Sequence, residues 1–295
     1  MIAIVGGLTA AICWASANLA SARSSRMIGS SSTVGWMMLV GVLLAGPLAI
    51  ASGPLPPITG TLAIWLALSG VTGVAGLSLV YRGLSLGKVG VVTALVSTEG
   101  AIAAVLSVVG GESMSLAVAA TLCVIMAGIG LVGLASGDAA KAAEGAEEGS
   151  VLALAAADER RAVLFGIAAA LCFGVTIYSS GQAGQVLPPF VAVLPVRVVG
   201  VVAILIPLAL TGRLRLARPA VPLVILIGAG EVLGNAAYVW GARQSIAIAA
   251  VLASQFAAVA AVAAFFIYRE RLSTQQRAGI VAICAGVAAL TIARG

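Results

Sequence analysis

The chain contains no histidine, and charged residues fill only 9% of its 295 positions. Without histidine there can be no Ser-His-Asp triad, no H-E-x-x-H zinc site and little scope for haem ligation. An ordinary soluble domain carries about 25% charged residues, so this chain lacks the means to cover a solvated surface. It has four cysteines, Cys13, Cys123, Cys172 and Cys284, each inside an apolar run. None shows C-x-x-C or metal spacing, so they read as small packing residues. The stretch Gly83 to Lys88 lacks the spacing and the Ser/Thr of a phosphate loop, and is expected to be a short loop between spans. No cofactor, metal or nucleic-acid partner is indicated.

What the chain has in quantity is apolar surface: 61% hydrophobic residues and a mean hydropathy of +1.17. Only lipid can solvate that much of it, and in lipid every backbone polar group must be satisfied within the protein, by helices or a closed barrel. The apolar runs are continuous and about 20 residues long, which fits helices and not the alternating strands of a barrel. The expected fold is therefore an all-α membrane protein with ten transmembrane helices, near 2–22, 33–51, 61–81, 91–109, 115–135, 163–180, 189–210, 220–240, 247–267 and 277–293. Turn chemistry marks the breaks, as at Gly53-Pro54-Leu55-Pro56-Pro57, Gly110-Gly111 and Pro188-Pro189. Ala20-Ser21-Ala22 resembles a signal-peptidase site, but no base precedes the first apolar stretch, and the sixth span repeats it mid-chain. The first span is expected to stay as a structural helix.

The chain also repeats itself. Gly7 to Trp14 (GLTAAICW) aligns with Gly166 to Phe173 (GIAAALCF), and Gly111-Glu112-Ser113-Met114-Ser115 aligns with Arg269-Glu270-Arg271-Leu272-Ser273. Internal repeats in an apolar chain mark a transporter architecture. The division expected is a first five-helix repeat at 1–136, an acidic, Ala-rich linker at 137–162 and a second five-helix repeat at 163–295. Of the 16 bases, 13 fall in odd-numbered loops, Arg243 and Arg294 fall opposite, and Arg197 lies within a span. The positive-inside rule then puts the odd loops in the cytoplasm and both termini outside. Five spans per half make the two repeats inverted relative to each other.

Ionisable groups within spans are costly, at about 2.5–3.5 kcal/mol each on insertion scales, so each is expected to face a cavity or a partner. Glu99, Arg197 and Glu231 qualify. Glu231, Asn235 and Tyr238 share one helical face, as do Trp14, Asn18 and Ser21 on the first span and Phe173, Thr176 and Ser180 on the sixth. Ser97 with Glu99, and Ser254 with Gln255, add polar groups on the fourth and ninth spans, and Ser78 lies towards the end of the third. The candidate substrate-binding set is Trp14, Asn18, Ser78, Ser97, Glu99, Phe173, Thr176, Glu231, Asn235, Tyr238 and Gln255, around a central cavity. Two readings of the charges stand: either Arg197 pairs with Glu231 or Glu99 to hold the bundle while the hydroxyls bond back to their helices, or the carboxylate that Arg197 leaves over is a proton or cation site in the cavity. For Trp14 and Phe173, packing and substrate contact are equal alternatives.

Two stretches carry a family resemblance. One runs from Tyr81 to Gly128, through Gly83 to Gly87, the fourth span and Gly111-Glu112-Ser113. The other runs from Asn235 to Val287, through Ala250 to Gln255 and Arg269 to Ser273. In both, the chain resembles the drug/metabolite transporter superfamily, and within it the ten-span EamA-type carriers. The resemblance implies a secondary carrier, exporting small organic solutes such as amino acids, other metabolites or drugs, in the plasma (inner) membrane. It implies an orientation with termini inside, against the charge count. The family's proline in the fourth and ninth spans is missing, with Glu99 and Ala257 near that site. Glu112 and Glu270 match the family's glutamate and read as structural at a span end. Partners expected are a small-molecule solute, membrane lipid and protons as coupling ion, in a monomer or homodimer. The alternatives are a lipid flippase, a channel-like facilitator or, least favoured, an intramembrane enzyme.

Overall fold

A computed structural model describes residues 1–86, 92, 95–128, 131, 152–256, 258–259, 262–263 and 274–294. All regular structure among them is helical. Six helices are long and apolar enough to cross a membrane: α1 (Ile2–Ile28), α2 (Ser30–Ala51), α3 (Gly60–Leu86), α6 (Leu152–Gly184), α7 (Pro189–Leu210) and α8 (Val221–Ala242). Shorter helices among the described residues include α4 (Glu99–Val109), α5 (Leu116–Gly128), α9 (Ile246–Ala253) and α10 (Thr274–Arg294). These elements sit where the apolar runs place them, because a run without water around it must close its backbone hydrogen bonds internally.

Several boundaries depart from the sequence expectation. Gly83 to Leu86 is the last turn of α3 and no loop. The linker is helical from Leu152 and runs unbroken into α6, whose 33 residues span about 50 Å at 1.5 Å each and overshoot the hydrocarbon core. The rest of that linker, and Lys88, Lys141, Tyr268, Arg269 and Glu270, lie outside the described residues.

The fourth and ninth apolar runs are interrupted at matching points. Ser97–Thr98 is a turn before α4, and Ser254–Gln255 is a turn after α9, related by 254 − 97 = 157 positions. In both, the backbone tightens to an i−3 bond: Thr98 N donates to Leu95 O (3.1 Å) and Gln255 N to Leu252 O (3.3 Å). A hydroxyl competes for the same carbonyl row, Thr98 Oγ1 to Leu95 O at 2.7 Å and Ser254 Oγ to Val251 O at 2.9 Å. Ser/Thr side chains thus accompany both breaks. In α7 a π-helical turn covers Val201–Leu205, with Ile206 N donating back to Val201 O. Pro207 explains it: it has no N–H to offer Ala203 O and its ring crowds that carbonyl, so the helix widens one turn earlier.

The helices pack reciprocally. The two most extensive pairings are α1 with α8 and α3 with α6; α4 crosses α9, and α2 crosses α7. Exchanging the first five helices for the second five maps α1–α8 onto α6–α3 and returns the two crossings to themselves. Close approach rests on glycine. A Cβ at Gly6 would lie 2.7 Å from Gly241 Cα across the α1–α8 seam, and one at Gly100 would lie 2.6 Å from Ala250 O across the α4–α9 crossing.

Hydrogen bonds identify which helix ends share a face. Ala3 N donates to Gln244 Oε1, Glu112 accepts from Ser245, and Arg243 donates to Gly184 O and Leu187 O. Residue 1, the 110–115 loop, the 185–188 loop and the 243–245 loop therefore lie together, on what we call the N-terminal face. On the other face Trp36 Nε1 donates to Arg215 O and Arg215 N to Ser32 Oγ.

Candidate functional site

Arg197 and Glu231 decide the electrostatics of the bundle interior. Arg197 on α7 is 2% exposed, and its NH2 group lies 3.1 Å from Glu231 Oε2 on α8. It also reaches Glu231 O at 3.4 Å, while NH1 faces Met38 Sδ at 3.7 Å and Nε has no partner. Room for the guanidinium stem comes from Gly41 on α2, where a Cβ would lie 2.7 Å from Arg197 Cδ. Burying an ion this deeply is tolerable only with its counter-ion in place.

The second carboxylate, Glu99, opens α4 directly after the Ser97–Thr98 turn. It is 6% exposed and has no ion-pair partner among the described residues. Elements of both halves converge here, since α1 packs against α8 and α9, and α4 packs against α9. Asn235 lies one turn on, with Nδ2 bonded to Glu231 O at 2.7 Å and 3.5 Å from its carboxylate.

The other residues singled out in the sequence sort by depth. Asn18 and Ser78 are exposed, both in the second half of helices that start on the N-terminal face. Ser78 Oγ is bonded back to Val74 O. Trp14 is buried, its ring edge-to-face with Phe256 at 6.3 Å, and its Nε1 has no partner. Gln255 is 2% exposed and its Nε2 also lacks a partner, while Ser97 is buried beside the α4 break. Thr176 shares a 2.7 Å hydrogen bond with Thr72 of α3, and Phe173 packs over Gly76, so both belong to the α3–α6 seam.

Tyr238 is placed differently from Glu231 and Asn235. It shares their helical face but is wholly buried, with its hydroxyl donating to Ile177 O of α6 at 2.8 Å. Seven residues of helix separate it from Glu231 by about 10 Å of depth, and at that depth α6 has closed on α8. A helical face predicts direction; it does not say how far the open space extends.

Sequence reasoning passed over Phe256, and it read Glu112 as structural at a span end, where it bonds to Ser245 and Ala247 N. Phe256 directly follows the Ser254–Gln255 turn as Glu99 directly follows the Ser97–Thr98 turn, whereas the repeat offset of 158 read from the sequence pairs Glu99 with Ala257. Glu112 borders a cavity of about 210 Å³ on the N-terminal face, with Ser107, Gln182, Gln185, Arg243 and Ser245. None of the candidate substrate-binding residues lines it.

The EamA-like transporter family matches residues 1–134 and again 160–292. The chain is a member of the EamA-like transporter family. Membership makes it a multi-pass membrane protein that transports small solutes, and the two matches coincide with the two halves of the sequence repeat. In addition, 28 chains of solved structures match this carrier. One, a crystal structure of a protein 16% identical in sequence, aligns over 99% of this chain and 98% of its own with a TM-score of 0.76. That likeness shows a shared fold. No curated protein matches the chain.

Proposed function

We propose that this EamA carrier is a secondary transporter, working as an exporter of small organic metabolites such as amino acids or drugs. It acts by alternating access about the space where α1, α3, α4, α8 and α9 meet. The observation that carries this is the pairing of Arg197 with Glu231, which leaves Glu99 a buried carboxylate with no ion-pair partner among the described residues. Glu99 then has the chemistry to bind a proton or the cationic group of a solute, and the aromatic pair Trp14 and Phe256 walls the same region.

The remaining expectations fit this reading. Ten spans arise if the interrupted fourth and ninth runs cross as pairs of half-helices, which is how carriers place irregular backbone at a midplane site. The repeats take 1–136 and 163–295 as inverted units, exchanged by a pseudo-two-fold axis, and the excess of bases on the face opposite the N-terminal one makes that face cytoplasmic. Exposed Asn18 and Ser78 then open to the cytoplasm, as a carrier loading its export substrate would require. The driving force is the solute gradient or a proton held at Glu99 or Glu231. Uptake into vesicles by Glu99→Gln and Glu231→Gln tests the coupling: pH dependence is expected to change in at least one. A wild-type pH profile in both rules the proton site out.

A further inference from the structure

Contacts on the N-terminal face fall into two groups. Arg243 to Gly184 O and Leu187 O, and Gln185 Nε2 to Ala242 O at 2.8 Å, all join segments of the second half. In a rocking carrier such bonds travel with their unit. Glu112 is different. It follows α4 in the first half, yet its carboxylate holds the start of α9 in the second, accepting from Ser245 Oγ and, at 3.3 Å, from Ala247 N. Ser245 in turn accepts from Ile248 N at 3.2 Å as the α9 cap. Gly111, with φ at +100°, turns the chain so that Glu112 reaches across. The other bonds between halves on this face, among the described residues, run from Met1 N (3.2 Å) and Ala3 N (2.9 Å) to Gln244 Oε1.

Two further features make this contact reversible. The breaks at Ser97–Thr98 and Ser254–Gln255 leave α4 and α9 as short rods whose outer ends Glu112 ties together. The cavity of about 210 Å³ bordered by Glu112 and Ser245 admits water to the bond, so its groups can be rehydrated when it opens. Released in dry surroundings, the carboxylate would lose its partners with nothing in exchange.

We infer that Glu112 is a latch that closes the N-terminal face by capping α9 across the two halves, and that each transport cycle requires its release. Glu112 is a positioning residue here: it sets which face is open and does not touch the solute. The inference rests on the alternating-access reading above, and the experiment separates the two.

The native cysteines are replaced by alanine, and spin labels are placed at Ser113 and Val186 to report the N-terminal face, with a second pair at Ser31 and Arg213 for the opposite face. Distance distributions are recorded in lipid for the parent, Glu112→Gln and Ser245→Ala, the second variant keeping the carboxylate while removing its hydroxyl donor. The parent is expected to show closed and open populations. In either variant the open-to-closed ratio at the Ser113–Val186 pair should rise about tenfold, equivalent to about 1.4 kcal/mol of latch energy. Transport should then shift in its maximum rate more than in KM. A single unchanging distance at both faces of the parent would overturn alternating access and the latch with it. Two populations in the parent, with an unaltered ratio in both variants, would overturn the latch alone. A purely structural Glu112 would lower thermal stability and leave that ratio where it was.

Discussion

The Arg197–Glu231 pair allows a prediction with a definite order of effects. Glu231→Gln removes the counter-ion from a guanidinium that is 2% exposed and whose Nε already lacks a partner. Stranding a buried charge in this way costs about 3–5 kcal/mol. Arg197→Met is the milder change. Glu231 is 25% exposed on its side chain and keeps the Asn235 amide nearby, so it can take up water or a proton, and the loss should be about 1–3 kcal/mol. The double variant removes both charges and fills the site with an apolar chain against Gly41 and Met38. It should be more stable than Glu231→Gln alone, since replacing a buried pair by packed apolar groups is often neutral or better. The assay is reversible unfolding of purified protein in mild detergent titrated with a denaturing one, run on all four members of the cycle. Additivity within about 0.5 kcal/mol would show that the two residues are not coupled. A single Glu231→Gln as stable as wild type would refute the argument from burial altogether.

Two other outcomes follow from packing and charge. Gly100→Ala puts a Cβ 2.5 Å from Ser254 Oγ and 2.6 Å from Ala250 O at the α4–α9 crossing. It should cost about 1–3 kcal/mol in the same unfolding assay, whereas Gly46→Ala, where a Cβ meets open space, should be neutral or slightly stabilising. A reporter active only in the cytoplasm, fused after Gly295, is expected to be silent if the charge count sets the orientation; activity would invert the assignment of faces.

The regular architecture was largely legible. Apolar length and the absence of charge locate α2, α7 and α8 to within three residues, because a lipid-solvated backbone has few alternatives to a helix, whereas α1 and α3 run five or six residues further and α6 begins eleven earlier. The repeat, read at Gly7 to Trp14 and Gly166 to Phe173, falls on the two family matches. Less legible were the interruptions. Ser97–Thr98 and Ser254–Gln255 are short polar interruptions inside long apolar runs, and a window averaged over about 20 residues cannot see a hydroxyl competing for a carbonyl three residues back. Pro207 was visible as a residue, but not the π turn that it imposes at Val201–Leu205.

The division at the site is sharper still. Composition and periodicity determined that Glu99, Arg197 and Glu231 must each find a partner or a cavity, since the cost of a charge in lipid is local and follows from residue type alone. Which two pair is a matter of where α7 and α8 cross and of Gly41 leaving room for the guanidinium, and that is information spread over three helices. The same holds for Tyr238, equivalent to Glu231 by helical face yet sealed against Ile177 a turn or two deeper. It holds for Glu112, a span-end residue in sequence whose partner, Ser245, is 133 positions away. Local energetics fix what each side chain needs. Only the packing of distant helices decides what it gets.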